Sequence, residues 1–115
     1  MDRDERFDEL VAEALDGLPE WVQMRLSNVA VLVEERAPAG QRGLLGLYEG
    51  IAQIDRGDWY SGALPDRITL FRDAIERESR GDPERLRRVV AHTVAHEIAH
   101  HFGISDDRLR ELGVY

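Results

Sequence analysis

His96-Glu97-Ile98-Ala99-His100-His101-Phe102-Gly103-Ile104-Ser105-Asp106 is the stretch on which the reading of this chain turns. Its first five residues spell H-E-x-x-H, and the residues upstream predict that they lie on a helix. Asp82-Pro83-Glu84 is a helix start, because Asp can cap, Pro fits the first helical position and Glu favours the positive end of the dipole. The helix is predicted to run to Phe102 and to stop at Gly103. Residues four apart on a helix share a face with Cβ atoms about 5–6 Å apart, so His96 and His100 can converge on one ion at Zn–N near 2.0–2.1 Å. Glu97 is rotated by about 100° from His96, which lets it sit over an ion-bound water without competing as a ligand.

The surroundings strengthen that reading. From Thr93 to Phe102 the ionisable residues are His96, Glu97, His100 and His101, set among Val94, Ala95, Ile98, Ala99 and Phe102. Burying such groups without partners costs several kcal/mol, roughly 2–7 even for neutral polar groups, and a metal compensates them directly. The competing reading is an exposed polar stripe that happens to carry two histidines. His92 is no third ligand of the same ion, since His92 to His100 spans about 12 Å of helix axis; it reads as a helix-surface residue. His101 points away from the ligand arc, toward Val90 and Val94, and reads as a core or supporting histidine.

Composition narrows the chemistry. The chain has 115 residues, 43% hydrophobic and 33% charged, the balance of a soluble globular protein of one domain, residues 1–115. It has no cysteine, so a transition metal must be held by His and carboxylate, and only four histidines are present. The formal charge of −8 argues against a phosphate-neutralising nucleic-acid surface, and the densest basic cluster, Arg85, Arg87 and Arg88, is flanked by acids. No apolar run approaches the roughly 20 residues needed to span a bilayer. The start Met1-Asp2-Arg3-Asp4-Glu5-Arg6 lacks a signal-peptide pattern, which places the protein in the cytoplasm with no membrane partner.

Elsewhere, Phe7, Leu10, Val11, Ala14 and Leu15 recur at helical spacing, predicting a helix over about Asp4 to Asp16 that Gly17 closes in the C′ role. Pro19 opens a second short helix to about Leu26. Val29 to Val33 is apolar on both faces and suits an interior strand. A loop over Glu35 to Arg42 leads to a second strand, Leu44 to about Glu49. Asp55 to Pro65 is irregular, Ile68 to Phe71 is a third strand, Asp73 to Ser79 a short helix, and Ser105-Asp106-Asp107 begins a last helix through Leu112. Three or more strands in a small sheet packed with helices make the fold class α+β.

With Gly103 and Asp106 added, the opening stretch resembles the H-E-x-x-H-x-x-G-x-x-H/D pattern of metzincin-type peptidases. That resemblance implies that His96, His100 and Asp106 are ligands of one Zn2+ and that Glu97 is the general base. A second reading of Asp106 stays open, a first-turn carboxylate favoured by the dipole of the last helix. Over nearly its whole length the chain is also similar to a family of minimal bacterial zincin-like proteins. The similarity is carried by Leu44 to Gly50, Arg56-Gly57-Asp58-Trp59-Tyr60 with Leu64-Pro65, Ile68-Thr69-Leu70-Phe71-Arg72, and His96 to Gly113. It implies a single zincin-like domain that acts as a zinc metallopeptidase on a peptide or protein substrate.

The chain departs from the larger metzincins in having no Met after Met24 to form the turn beneath the metal, and little sequence after Asp106 to build a lower subdomain. A gluzincin arrangement would have only Glu111 as its later ligand, close for the usual connection. Tyr115, Tyr60 and His101 are candidates to hold the oxyanion, and Ile68 to Phe71 is the candidate edge strand for pairing with a substrate backbone. The rival function is a non-catalytic zinc-binding module, which small size favours and the retained Glu97 disfavours.

Overall fold

The structure, a computed structural model, describes residues 2–26, 28–50 and 66–111. Helix α1 (Arg3–Asp16) begins where the Asp2 side chain accepts a hydrogen bond from the Glu5 N–H, at 2.8 Å. It ends at Gly17, which keeps a right-handed conformation with φ −80°; Pro19 two residues on already prevents continuation, so no left-handed cap forms. Helix α2 (Glu20–Gln23) is a single turn, shorter than the pattern predicts. Strands β1 (Val29–Glu34), β2 (Gly46–Glu49) and β3 (Asp66–Phe71) follow, then helices α3 (Arg72–Ser79), α4 (Pro83–His101) and α5 (Asp106–Glu111).

The described strands form one mixed sheet in the order β1-β3-β2, with β1 parallel and β2 antiparallel to β3. Two sequence expectations fail here, for one reason. The sheet places β3 in the centre, hydrogen-bonded on both sides, so Ile68 to Phe71 has no edge to offer a substrate. The apolar β1, expected inside, lies at an edge among the described residues; Val29, Val31 and Val33 pack on the core while Leu32 is 41% exposed. Strand β2 starts at Gly46 instead of Leu44, because the Leu44 N–H turns back to the Gln41 carbonyl at 2.9 Å.

Helix α4 lies across β2 and β3 and against α1 and α3. Val90, Val94 and Ile98, four residues apart, make one buried stripe on it and meet Phe7 and Leu10 of α1, Ile68 and Leu70 of β3 and Ile75 of α3. Each such side chain contributes about 1.5–3 kcal/mol on burial. Leu70 is fully buried at the centre of this layer, so Leu70→Ala is expected to cost about 2–5 kcal/mol, read as a lower denaturation midpoint. No described helix is long and apolar enough to cross a membrane.

Candidate metal centre

Helix α4 forms as its sequence dictates. Asp82 caps it by accepting from the Glu84 N–H at 3.0 Å, and Pro83 occupies the first turn. With Val90, Val94 and Ile98 committed to the core, the i, i+4 pair His96 and His100 falls on the face toward β2. The helix then stops abruptly. Gly103 takes φ +80°, its N–H bonds the His100 carbonyl, and the Ile104 N–H returns to the Ala99 carbonyl, each at 2.9 Å.

That reversal brings Asp106 back onto the histidines. Its Oδ1 lies 3.2 Å from His96 Nε2 and 3.0 Å from His100 Nε2, and the two imidazole nitrogens are 3.3 Å apart. Donors 2.0–2.1 Å from a tetrahedral ion stand about 3.3–3.4 Å from one another, so these three atoms have nearly the spacing of a shared zinc shell. Asp106 Oδ1 is buried and makes no hydrogen bond among the described residues. A buried carboxylate oxygen so placed, with two imidazole nitrogens in reach, fits a cation-binding role. Capping of α5 falls to another residue, since Ser105 Oγ accepts from the Arg108 N–H at 3.2 Å.

Glu97 is 7% exposed and stands beside the triangle; one carboxylate oxygen and the nearest nitrogens of His96 and His100 all lie within 4.8 Å of one another. This spacing is looser than the triangle made with Asp106, so Glu97 suits a position next to an ion better than one on it. Burial pushes the Glu97 carboxyl above the ordinary carboxylate range, against the opposing pull of His100, with Asp106 adding to the rise and the Tyr48 backbone N–H bonding the carboxylate. For His96, burial and then the neighbouring His100 lower the pKa, which favours the neutral ring whose lone pair a metal needs.

The other histidines separate clearly. His92 is exposed, its ring 6.2 Å from that of His96, and it lines a cavity of about 280 Å3 together with Gly43, Thr93, His96 and Glu97. His101 is buried against the sheet, its Nδ1 2.6 Å from Asp66 Oδ2 of β3 and its ring 6.0 Å from that of Tyr48 of β2. Sequence reasoning missed Asp66 altogether; the nearest signal was a carboxylate just ahead of the Ile68-Thr69-Leu70-Phe71 run. Of the oxyanion candidates, Tyr60 and Tyr115 lie outside the described residues, as do Arg56 to Tyr60 and Leu64-Pro65.

A cleft of about 600 Å3 runs along the site, with Gly46, Leu47 and Tyr48 of β2 on one wall and His96, Glu97, His100 and Asp106 on the other. Gly46 sets its width at the base. A Cβ there would fall 2.9 Å from Thr93 Cγ2, 3.1 Å from Glu97 Cγ and 3.3 Å from the Thr69 carbonyl oxygen. Gly46→Ala is therefore expected to push α4 from β2, costing about 1–3 kcal/mol of stability and displacing Glu97. Thermal denaturation reads the first effect; an unchanged midpoint contradicts the packing argument.

The sequence profile of a family described as zincin-like metallopeptidase matches residues 26–114. The chain is similar to the solved structure of a conserved hypothetical protein from Thermo thermophilus, with a TM-score of 0.58 and 26% identity over 95% of each chain. No curated protein matches it.

Proposed function

This chain belongs to the zincin-like metallopeptidase family, and from that premise we propose that it is a zinc-dependent peptidase in which His96, His100 and Asp106 hold one Zn2+ and Glu97 is the general base. The observation that carries the proposal is the triangle of Nε2, Nε2 and Oδ1 atoms with edges of 3.0–3.3 Å. Two neutral imidazoles and one carboxylate would hold a divalent ion at a net charge of +1. Bound there, zinc supplies Lewis acidity and brings the pKa of a water toward about 7.

The rest of the chemistry falls to the chain. Glu97 takes the proton of the attacking water and passes it to the leaving amine. Strand β2 replaces β3 as the strand on which an extended substrate lies. The Phe71 N–H bonds the Leu45 carbonyl, so by antiparallel alternation Leu45 and Leu47 direct their backbone groups at β3 and Gly46 directs its own toward the cleft. A peptide added along Gly46 to Tyr48 then passes the triangle and Glu97.

The test is elemental analysis of the purified chain followed by digestion of an unbiased peptide library. One zinc per chain and chelator-sensitive cleavage are expected. Absence of stoichiometric zinc overturns the proposal, and zinc without cleavage leaves the chain as a binding module. His92→Ala serves as control and is expected to keep its zinc, because its exposed ring stands a full turn from the triangle.

A further inference from the structure

A buried carboxylate outside the metal triangle links the two walls of the cleft. Asp66, at the start of β3, is 1% exposed, and its Oδ2 accepts from the Tyr48 hydroxyl at 2.7 Å while lying 2.6 Å from His101 Nδ1. His101 is equally buried, and its Nε2 has no hydrogen-bond partner among the described residues, so there the contact with Asp66 is the polar anchor of that ring. The rings of Tyr48 and His101 meet edge to face at 6.0 Å. Desolvating a carboxylate is expensive, and the sheet does not need this one, because β2 and β3 are already joined by their backbone ladder from Gly46 to Glu49.

What Asp66 adds is a tie between the sheet and the end of α4. His101 directly follows His100 and precedes the Gly103 reversal that returns Asp106. Tyr48 belongs to the cleft wall and its backbone N–H bonds Glu97. One oxygen atom therefore holds both the strand that touches the base and the helix end that carries His100 and leads into the turn to Asp106.

We infer that Asp66 is a positioning residue which, through Tyr48 and His101, fixes the cleft wall against the His100 to Asp106 turn and so sets the geometry of the metal shell. The inference rests on the zinc site proposed above. Partners that orient metal ligands in other proteins typically cost 10–100-fold in metal affinity when removed.

The experiment compares the parent chain, Asp66→Asn, Tyr48→Phe and Leu10→Ala by chelator competition for zinc and by the visible spectrum of the cobalt(II)-loaded protein. Leu10 is a buried α1 residue that does not line the cleft and controls for a general loss of stability. Asp66→Asn is expected to bind zinc several-fold more weakly, less than the roughly 10–100-fold lost with partners bonded directly to a ligand, and to change the position or intensity of the cobalt bands. Leu10→Ala is expected to melt earlier with both readouts unchanged. Parent-like affinity and spectrum in Asp66→Asn, or an equal loss in Leu10→Ala, overturns the inference. If Asp66→Asn does not fold, Tyr48→Phe decides: it keeps the ring, and it is expected to move the cobalt spectrum and weaken zinc several-fold, whereas parent-like values overturn the inference. A parent chain that binds neither zinc nor cobalt refutes the metal site itself, a different failure from a parent that binds both and an Asp66 variant that matches it.

Discussion

Glu97→Gln is expected to retain one zinc per chain and to lose about a hundred- to ten-thousandfold in peptide hydrolysis, the span that a positioned general base contributes. The substitution is nearly isosteric, so the Glu97 Cγ that lies beside Gly46 keeps its place in the site. It removes only the ability to accept a proton. The three closest donor atoms, on His96, His100 and Asp106, are untouched, which is why the metal stays. Zinc content and turnover thus separate in this variant, while they fall together in His96→Ala or His100→Ala. Loss of zinc from Glu97→Gln makes the carboxylate a ligand, and unchanged turnover removes it from the proton path.

The helix and its histidines were legible because their determinants are local. Asp82 and Pro83 mark the start of α4 and Gly103 its end, and the four-residue spacing fixes which side chains share a face. Strand order was not legible, since pairing is a nonlocal choice. Val29 to Val33 and Ile68 to Phe71 are both apolar runs, and nothing within either states that, among the described residues, β3 receives a neighbour on each side while β1 receives one. The β2 edge went unassigned for the same reason. Asp66 was hidden differently. A carboxylate after a proline reads as a turn residue, and the partners that make it a buried anchor lie 18 and 35 residues away. The site was legible where one helix writes it and illegible where the sheet completes it.

Asp106→Ala is expected to weaken zinc binding by roughly 10²–10³-fold, because one ligand of a site worth about 10–16 kcal/mol carries on the order of 2.5–4 kcal/mol. The two readings of this carboxylate make opposite claims. As a helix-terminal charge it would contribute about 0.3–1 kcal/mol to α5 and leave zinc untouched when removed. The geometry opposes that second claim: Ser105 Oγ already accepts from the Arg108 N–H, and Asp106 Oδ1 faces two imidazole nitrogens at 3.0 and 3.2 Å instead of the helix. Asp106→His should recover much of the affinity, since imidazole is an equally suitable donor, with the longer side chain shifting the ion. Asp107 is the internal control. Its side chain is 91% exposed and pairs with Arg110 in the same short helix, so Asp107→Ala should keep parent-like zinc affinity. Chelator competition on the three variants decides between the readings, and an Asp106→Ala chain that holds zinc as the parent does returns Asp106 to the helix dipole and leaves His96 and His100 without their third ligand.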